Sequence, residues 1–333
     1  MSTLPVSVIT GFLGSGKTTL LSALLDRPEM ADTAVVINEF GEVGLDHFLI
    51  ENADENVVEL ASGCVCCTIR GDLALTLVDL LSRRREGSVA PFRRIVVETT
   101  GLADPAPILH MIMNDAALAE GLDLDAVITT VDAVTGPATL SSQPESLKQV
   151  AVADRLLVTK TDLTGGLPPG LQDRLRALNP MSPIEVVVRG EIAPGLLFGQ
   201  VGPASRLVTT EMHGHHGHAH DDGIAAHAII RDAPIPAAAL SLWLETLAEH
   251  AGADLLRLKG LVDLRESPDR PAVIHGVQHV FHPPEWLEEW PSEDRRSRIV
   301  LITRDVAGSW AELLLDTLVA EVRALETRAA DAA

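Results

Sequence analysis

Tyrosine is absent from the sequence, and phenylalanine together with tryptophan makes up only 3% of its 333 residues. A folded core must therefore consist mainly of Val, Ile, Leu and Ala. No run approaches the roughly 18 consecutive apolar residues of a membrane-spanning helix, and no charged-then-apolar signal segment opens the chain. The lack of a membrane span and of a signal segment predicts a cytoplasmic protein without a membrane partner.

Positive charge is also scarce, since 26 Lys and Arg stand against 47 Asp and Glu, which gives a formal net charge of −21. Such a chain repels polyphosphate backbones, and this predicts no nucleic-acid partner. Cysteine is rarer still, and all three cysteines lie within four positions. That spacing cannot form a disulfide framework and favours a metal or redox role in a reducing compartment.

The first two hundred residues alternate short apolar runs with helical patterns. Runs that are short and almost continuously apolar are typical of parallel strands covered on both faces. The pattern predicts a doubly wound, mostly parallel α/β sheet. Strands are predicted at Val6–Thr10, Ala34–Asn38, Ile95–Glu98, Ala126–Val131, Leu156–Thr159 and Glu185–Val188, and helices at Lys17–Leu25, Leu73–Arg85 and Gln172–Leu178.

A histidine-rich stretch without an apolar period interrupts this rhythm and predicts a flexible linker over residues 206–223. Beyond it, several strands between two helices predict a smaller α+β domain with an antiparallel sheet. We therefore expect a first domain over residues 1–205 and a second over 224–330, since the chain is long for one core. The second domain is predicted to contain strands Ala226–Arg231, Leu255–Leu264, Ala272–Phe281 and Arg298–Thr303, and helices Ala237–His250 and Ser309–Glu326.

The segment from Gly11 to Thr18 fits the P-loop pattern G-x-x-x-x-G-K-[ST], with a predicted strand before it and a helix after it. Its glycines allow backbone N–H groups to turn towards phosphates at the positive end of the helix. Lys17 is expected to reach the β- and γ-phosphates, and the Thr18 hydroxyl to ligate Mg²⁺. The candidate phosphate-binding residues are Gly11, Gly14, Ser15, Gly16, Lys17, Thr18 and Thr19.

A second signature, Thr159-Lys160-Thr161-Asp162, follows a predicted strand and resembles the Asn-Lys-x-Asp motif of GTPases, with Thr159 where Asn is usual. Asp162 can accept two hydrogen bonds from guanine N1 and N2, a pattern that adenine does not offer. Lys160 would lay its stem along the base. The alternative is an ordinary turn at a strand end, but with a P-loop upstream we predict guanine binding.

Glu98-Thr99-Thr100-Gly101 also follows a predicted strand. An acidic residue at this position of a P-loop protein orders Mg²⁺ or its water, and the Gly101 N–H can contact the γ-phosphate. The alternative is a carboxylate that only caps a helix.

Cys64, Cys66 and Cys67 place three thiolates in four residues. Soft sulfur selects Zn²⁺, Cu⁺ or Co²⁺ over Mg²⁺. A structural zinc site has four protein ligands, so a site with three thiolates is open and suits the transfer of a metal. The alternative is that the cysteines are small buried hydrophobic residues.

Five histidines within eight residues can gather further ions weakly, because neutral imidazole is a ligand for Zn²⁺ and Co²⁺. The alternative is a solvated linker without a role in metal binding. These secondary candidates are His213, His215, His216, His218 and His220.

Taken in order, the P-loop, the segment 38–42, Gly63-Cys64-Val65-Cys66-Cys67, the segment 98–101 and the segment 159–162 resemble the CobW-like metallochaperone GTPases. The second domain resembles the CobW C-terminal domain through Leu255–Gly260 and His275–Val280. This resemblance implies a low-turnover GTPase, with GTP, GDP and Mg²⁺ as its nucleotide and ion, that delivers zinc or cobalt to a metal-requiring client protein. It also implies a first switch over residues 38–46, with Glu42 as a metal ligand beside the thiolates and Asp46 helping to hold Mg²⁺.

Two other classes of protein fit the same residues. One is a metal buffer or sensor whose nucleotide regulates binding without delivery. The other is a P-loop kinase for a small molecule, in which the cysteines have no role. The sequence leaves open the cargo metal, the client and the oligomeric state, with a homodimer among the options.

Overall fold

The computed structural model describes residues 3–40, 57–62, 69–198 and 223–331, which form two compact units. The strands are β1 Leu4–Gly11, β2 Thr33–Phe40, β3 Val57–Ser62, β4 Arg94–Thr99, β5 Leu122–Asp132, β6 Arg155–Thr159, β7 Ile184–Val187, β8 Ile224–Arg231, β9 Leu255–Leu264, β10 Ser267–Val277, β11 Val280–Phe281, β12 Glu285–Trp286 and β13 Ser297–Arg304. The helices are α1 Lys17–Leu25, α2 Ile69–Glu86, α3 Ala106–Asn114, α4 Ala116–Ala119, α5 Gly136–Ser142, α6 Pro144–Val152, α7 Thr161–Thr164, α8 Pro169–Leu178, α9 Ala237–His250 and α10 Gly308–Asp331.

The first unit contains a seven-stranded parallel sheet in the order β3-β2-β4-β1-β5-β6-β7. Its central strands are almost entirely buried, as expected for a parallel sheet with helices on its faces. The predicted doubly wound α/β fold is therefore confirmed.

Helix α1 covers the centre of this sheet. Its residues Leu20, Leu21 and Leu24 are fully buried and pack with Ile9 of β1 and neighbouring strand residues in one aliphatic core. These positions recur at helical spacing, and this is why one face of the helix can meet the sheet. The packing fixes the first turn of α1 relative to the end of β1.

The strand order reverses at β1, because the chain runs outwards to β2 and β3 and then returns through β4 to the other side at β5. In open α/β sheets, ligands bind outside the carboxyl ends of the strands at such a switch point. The P-loop follows β1 at this position.

The second unit contains an antiparallel sheet in the order β11-β10-β9-β13-β8, and β12 also pairs with β10. Helices α9 and α10 pack against one core with the sheet, through side chains such as Trp243 and Leu315. The indole Nε1 of Trp243 donates a hydrogen bond of 2.8 Å to the carbonyl oxygen of Ala311. This bond joins the two helices within the core.

Parts of the strand prediction are wrong, and the short strand β12 was not predicted. Strand β3 was not predicted, because its sequence Val-Val-Glu-Leu-Ala-Ser has neither strict alternation nor a continuous apolar run. The predicted strand Ala272–Phe281 is broken, since β10 ends at Val277 and β11 begins at Val280. Gln278 turns the chain there with φ of +53°, a conformation that its residue type does not signal.

Helices α3 to α7 were likewise not predicted, and α2, α8 and α10 are longer than expected. Within the described ranges, no helix is both long enough and apolar enough to cross a membrane. The boundaries at residues 205 and 223 stay a prediction.

Trp243→Phe should lower the free energy of unfolding of the second unit by about 1–3 kcal/mol, because it removes buried volume and the donor to Ala311. The exposed neighbour Leu242, which retains 45% of its accessible surface, provides a control on the same helix. Leu242→Ala should cost about 0.5 kcal/mol. Urea unfolding followed by circular dichroism measures both, and equal costs would contradict the proposed role of Trp243.

Candidate nucleotide and metal site

The P-loop connects the end of β1 at Gly11 to the start of α1 at Lys17. The N–H of Ser15 donates to the carbonyl of Phe12 at 3.0 Å, which closes the turn. Gly16 caps the helix with φ of +92° and, as a glycine, makes no side-chain hydrogen bond to its first turn. The first N–H groups of a helix have no intrahelical partner, so this end is suited to bind an anion.

Hydroxyl groups attach the loop and the end of β1 to neighbouring strands. On the β4 side, Thr99 donates to the Thr10 hydroxyl at 2.8 Å. On the β5 side, the hydroxyls of Ser15 and Thr130 are 2.7 Å apart. From β6, the Thr159 hydroxyl donates to the carbonyl of Ser15 at 2.7 Å. Strands β5 and β6 therefore hold the loop itself, and β4 holds the end of β1 from which the loop starts.

Lys17 folds back over the loop. Its ammonium donates to the carbonyl oxygens of Gly11 at 3.0 Å and Phe12 at 3.4 Å, and the residue is only 8% exposed. A buried ammonium at the mouth of an anion-binding turn provides a positive charge for a phosphate. Thr19, also predicted to contact phosphate, is exposed in the first turn of α1.

Thr18 and Glu98 meet although they are 80 residues apart. The Thr18 hydroxyl donates to Glu98 Oε1 at 2.9 Å, and Glu98 is 2% exposed. Glu98 pairs in register with Ile9 and Ile37, so it lies near the carboxyl end of the central strands. Hydroxyl and carboxylate oxygens are the ligands that Mg²⁺ prefers, and the pair fits that ion directly or through water.

Gly101 lies against the P-loop, because a Cβ atom on it would come within 2.6 Å of the Leu13 nitrogen. Gln149 of α6 holds this segment in place. Its side-chain amide donates to the carbonyls of Gly101 at 3.2 Å and Ala103 at 3.0 Å, and the residue is buried. The segment after β4 is thus fixed next to the loop.

Lys160 follows β6 in a left-handed conformation with φ of +56°. Its ammonium lies 2.6 Å from Asp132 Oδ2, and Asp132 also accepts hydrogen bonds from the N–H groups of Val134 and Thr135. Burial acts to raise the pKa of Asp132, but these hydrogen bonds outweigh it and the pKa lies below its ordinary value. The pair fixes Lys160 beside the P-loop, while Asp162 is exposed in α7.

Several predicted site residues lie outside the described residues, and their roles stay predictions. They are Glu42, Asp46, Cys64, Cys66, Cys67, His213, His215, His216, His218 and His220.

Four residues that support the site were missed in the sequence. Thr10 and Thr130 belong to predicted strands and carry no separate signal. Asp132 directly follows a predicted strand, the same signal that identified Glu98. Gln149 lies in an unpredicted helix, and nothing in its local sequence marks it.

A model of the CobW/HypB/UreG nucleotide-binding domain matches residues 5–185, more than half of the chain. The chain belongs to this family. A second model, the C-terminal domain of the cobalamin synthesis protein CobW, matches residues 224–319. The predicted family is confirmed.

Relatives are similar over nearly the whole chain. The zinc chaperone YjiA of Escherichia coli is 34% identical over 304 residues, which cover 91% of this chain and 94% of YjiA. The zinc chaperone CobW of Pseudomonas aeruginosa is 30% identical over 345 aligned residues, covering 92% and 89% of the two chains. A crystal structure of Zn(II)-bound YjiA GTPase from E. coli matches with a TM-score of 0.73 at 28% identity, covering 96% of this chain and 99% of that one.

Thr159→Val should weaken GTP binding, because it removes the donor to the Ser15 carbonyl while keeping the side-chain shape. A buried acceptor that loses its partner costs about 1–3 kcal/mol, which corresponds to roughly 5–150-fold if all of it falls on binding. Thr159→Ser keeps the hydroxyl and should bind GTP nearly as the parent does. Isothermal titration compares the three proteins, and equal affinities of the Val and Ser variants would exclude this role of the hydroxyl.

Proposed function

We propose that this chain is a GTP-hydrolysing metallochaperone that carries zinc, or cobalt as the second choice, and delivers it to a client protein. The proposed metal ligands are Cys64, Cys66 and Cys67 together with Glu42. The similarity to proteins named zinc chaperones supports the class of cargo.

The observation that carries the proposal is the register of β2 and β3. Phe40 and Ser62, the last residues of these parallel strands, are partners in the sheet. Neighbouring strands lie about 4.8 Å apart, so Phe40 and Ser62 are adjacent at the same end of the sheet. The proposed switch, residues 38–46, begins in β2 and continues beyond Phe40, and the cysteine motif follows Ser62.

The same edge of the sheet carries the phosphate site. Asn38, two residues before the end of β2, is the register partner of Thr99, which follows Glu98. A γ-phosphate held by Lys17 and the P-loop would therefore lie near the start of the switch. On this proposal, the nucleotide would bias the switch, and Glu42 of the switch would share the metal with the thiolates.

In the proposed cycle, Lys17 and the N–H groups of the P-loop bind the phosphates, and their positive charge offsets the charge that develops during transfer. Thr18 and Glu98 would hold Mg²⁺, which supplies further positive charge when it is bound. Lys160, fixed by Asp132, would lie along the base, and Asp162 would accept from guanine. Release of phosphate would then relax the switch and lower the affinity for the metal.

If this is correct, metal and nucleotide must bind cooperatively. GTP should raise the affinity for zinc by the same factor as zinc raises the affinity for GTP, since coupling is reciprocal. Typical couplings change an affinity by about 5–150-fold. Calorimetric titration of Zn²⁺ with Mg²⁺ and GTP, with GDP and without nucleotide measures the factor. Cys66→Ser should abolish high-affinity zinc binding and the effect of zinc on the affinity for GTP. The affinity for GTP without metal should stay near that of the parent.

Identical zinc affinities in the three nucleotide states would refute the coupled mechanism. A metal buffer would show coupling but no faster transfer to an apo zinc protein with GTP than with a non-hydrolysable analogue. A small-molecule kinase would release no phosphate from GTP without an acceptor. Lys17→Ala, which should abolish hydrolysis, is the control for contaminating GTPases.

Asp162→Asn should weaken GTP and improve binding of xanthosine triphosphate, because an amide donates where the carboxylate accepted. Asp173, exposed in α8, offers a matched control, and Asp173→Asn should leave the preference unchanged. Competition of GTP, ATP and xanthosine triphosphate against a fluorescent nucleotide measures it. Equal competition by ATP and GTP in the parent protein would contradict the prediction that the site prefers guanine.

A further inference from the structure

A second group of metal-ligating side chains lies in the second unit, far from the cysteines in the sequence. His275, His282 and Glu285 each place one ligand atom so that all three lie within 4.8 Å of one another. The two imidazole rings have centroids 4.7 Å apart. All three residues are partly buried.

The backbone of one hairpin brings these residues together. His275 lies on β10, and its carbonyl accepts a hydrogen bond of 3.0 Å from the N–H of His282, just after β11. Gly276 pairs with Phe281, so His282 is the cross-strand neighbour of His275. Directly opposite residues of an antiparallel pair share a face of the sheet.

A one-residue shift in the strand register places the carboxylate of Glu285 on the same face as the two histidines. An unbroken register would pair Val273 with Pro284, but Val273 pairs with Glu285 instead. One extra residue is therefore inserted at the Pro283-Pro284 pair. Without it, positions 282 and 285 would point to opposite faces of a strand, and the insertion turns both to the face of His275.

Two imidazoles and one carboxylate form a donor set for zinc and similar divalent transition metals. Zn²⁺ bonds of about 2.0–2.1 Å place tetrahedral ligand atoms about 3.4 Å apart, so closure from 4.8 Å needs only small side-chain rotations. We propose that His275, His282 and Glu285 form a second metal site for zinc or a similar divalent ion, with one position open to water or to another ligand.

The charges around the site make the carboxylate important. Lys259 of β9 is the register partner of His275, so a buried ammonium shares this face and opposes a cation. Neutral imidazoles contribute no charge to offset it. Glu285 is therefore the member that should attract the ion, and its loss should weaken binding as much as the loss of a histidine.

The experiment uses the full-length chain with the three cysteines changed to serine and the five histidines between 213 and 220 changed to glutamine. This background removes the other proposed cysteine and histidine ligands and leaves Glu42 without the thiolates beside it. Zn²⁺ is titrated in competition with a chelating dye, and Co²⁺ spectra report the ligands. We expect one tight equivalent with a cobalt spectrum that lacks thiolate charge transfer.

Single substitutions in that background identify the site. Mutation of a residue that only supports a metal ligand lowers the metal affinity by about 10–100-fold. Loss of a ligand itself, in His282→Ala or Glu285→Gln, should therefore lower the zinc affinity by at least about tenfold. The matched control is His279→Ala, which removes an exposed histidine from the turn of the same hairpin. It should leave the affinity unchanged. Circular dichroism without metal checks that each variant is folded.

The proposal falls if the background chain takes up no tight equivalent, or if His279→Ala weakens zinc as much as His282→Ala does. Glu285→Gln keeps the shape of the side chain and tests the site if a histidine variant does not fold. An unchanged zinc affinity in that variant would then overturn the proposal. Because the background lacks the cysteines, either outcome is independent of the coupling test on Cys66.

Discussion

A glycine-rich loop has little stiffness of its own, since glycine has access to the widest range of backbone conformations. In this chain, the loop after β1 is held by hydroxyl groups from its neighbours. Thr159 donates to the Ser15 carbonyl, Thr130 contacts the Ser15 hydroxyl, and Thr99 contacts Thr10 at the end of β1. Because β4, β5 and β6 all supply contacts, the anion-binding turn is fixed before a nucleotide arrives, and less ordering entropy is lost on binding.

The same contacts explain the departure at Thr159 from the usual Asn. The Thr159 hydroxyl holds the loop through its hydrogen bond to the Ser15 carbonyl. The short Thr159 side chain also packs beside Gly16, where an added Cβ would lie 3.6 Å from it. On the proposed function, contact with guanine would then be left to Asp162 and Lys160. Lys160 is held by Asp132, whose depressed pKa keeps the carboxylate charged well below neutral pH.

How well each feature could be predicted follows from how local its determinants are. The P-loop and α1 could be predicted residue by residue, because strand, glycines and helix are contiguous in the chain. The roles of Thr10 and Thr130 could not, because threonine in a strand is ordinary and its partner depends on strand order. Strand β10 was extended too far, since a non-glycine residue, Gln278, makes the turn. The meeting of His275, His282 and Glu285 depends on a register shift that no local pattern signals.

The lengths of two connections limit how the proposed coupling can work. Residues 41–56 separate β2 from β3, whereas only residues 63–68 separate β3 from α2. A chain spans at most about 3.3–3.6 Å per residue, so the shorter connection has much less reach between its fixed ends. On the proposed function, the thiolates of this connection form the constant part of the metal site. Glu42, in the longer connection, would be the ligand gained with GTP and lost after hydrolysis, so the affinity would change without the metal leaving its thiolates first.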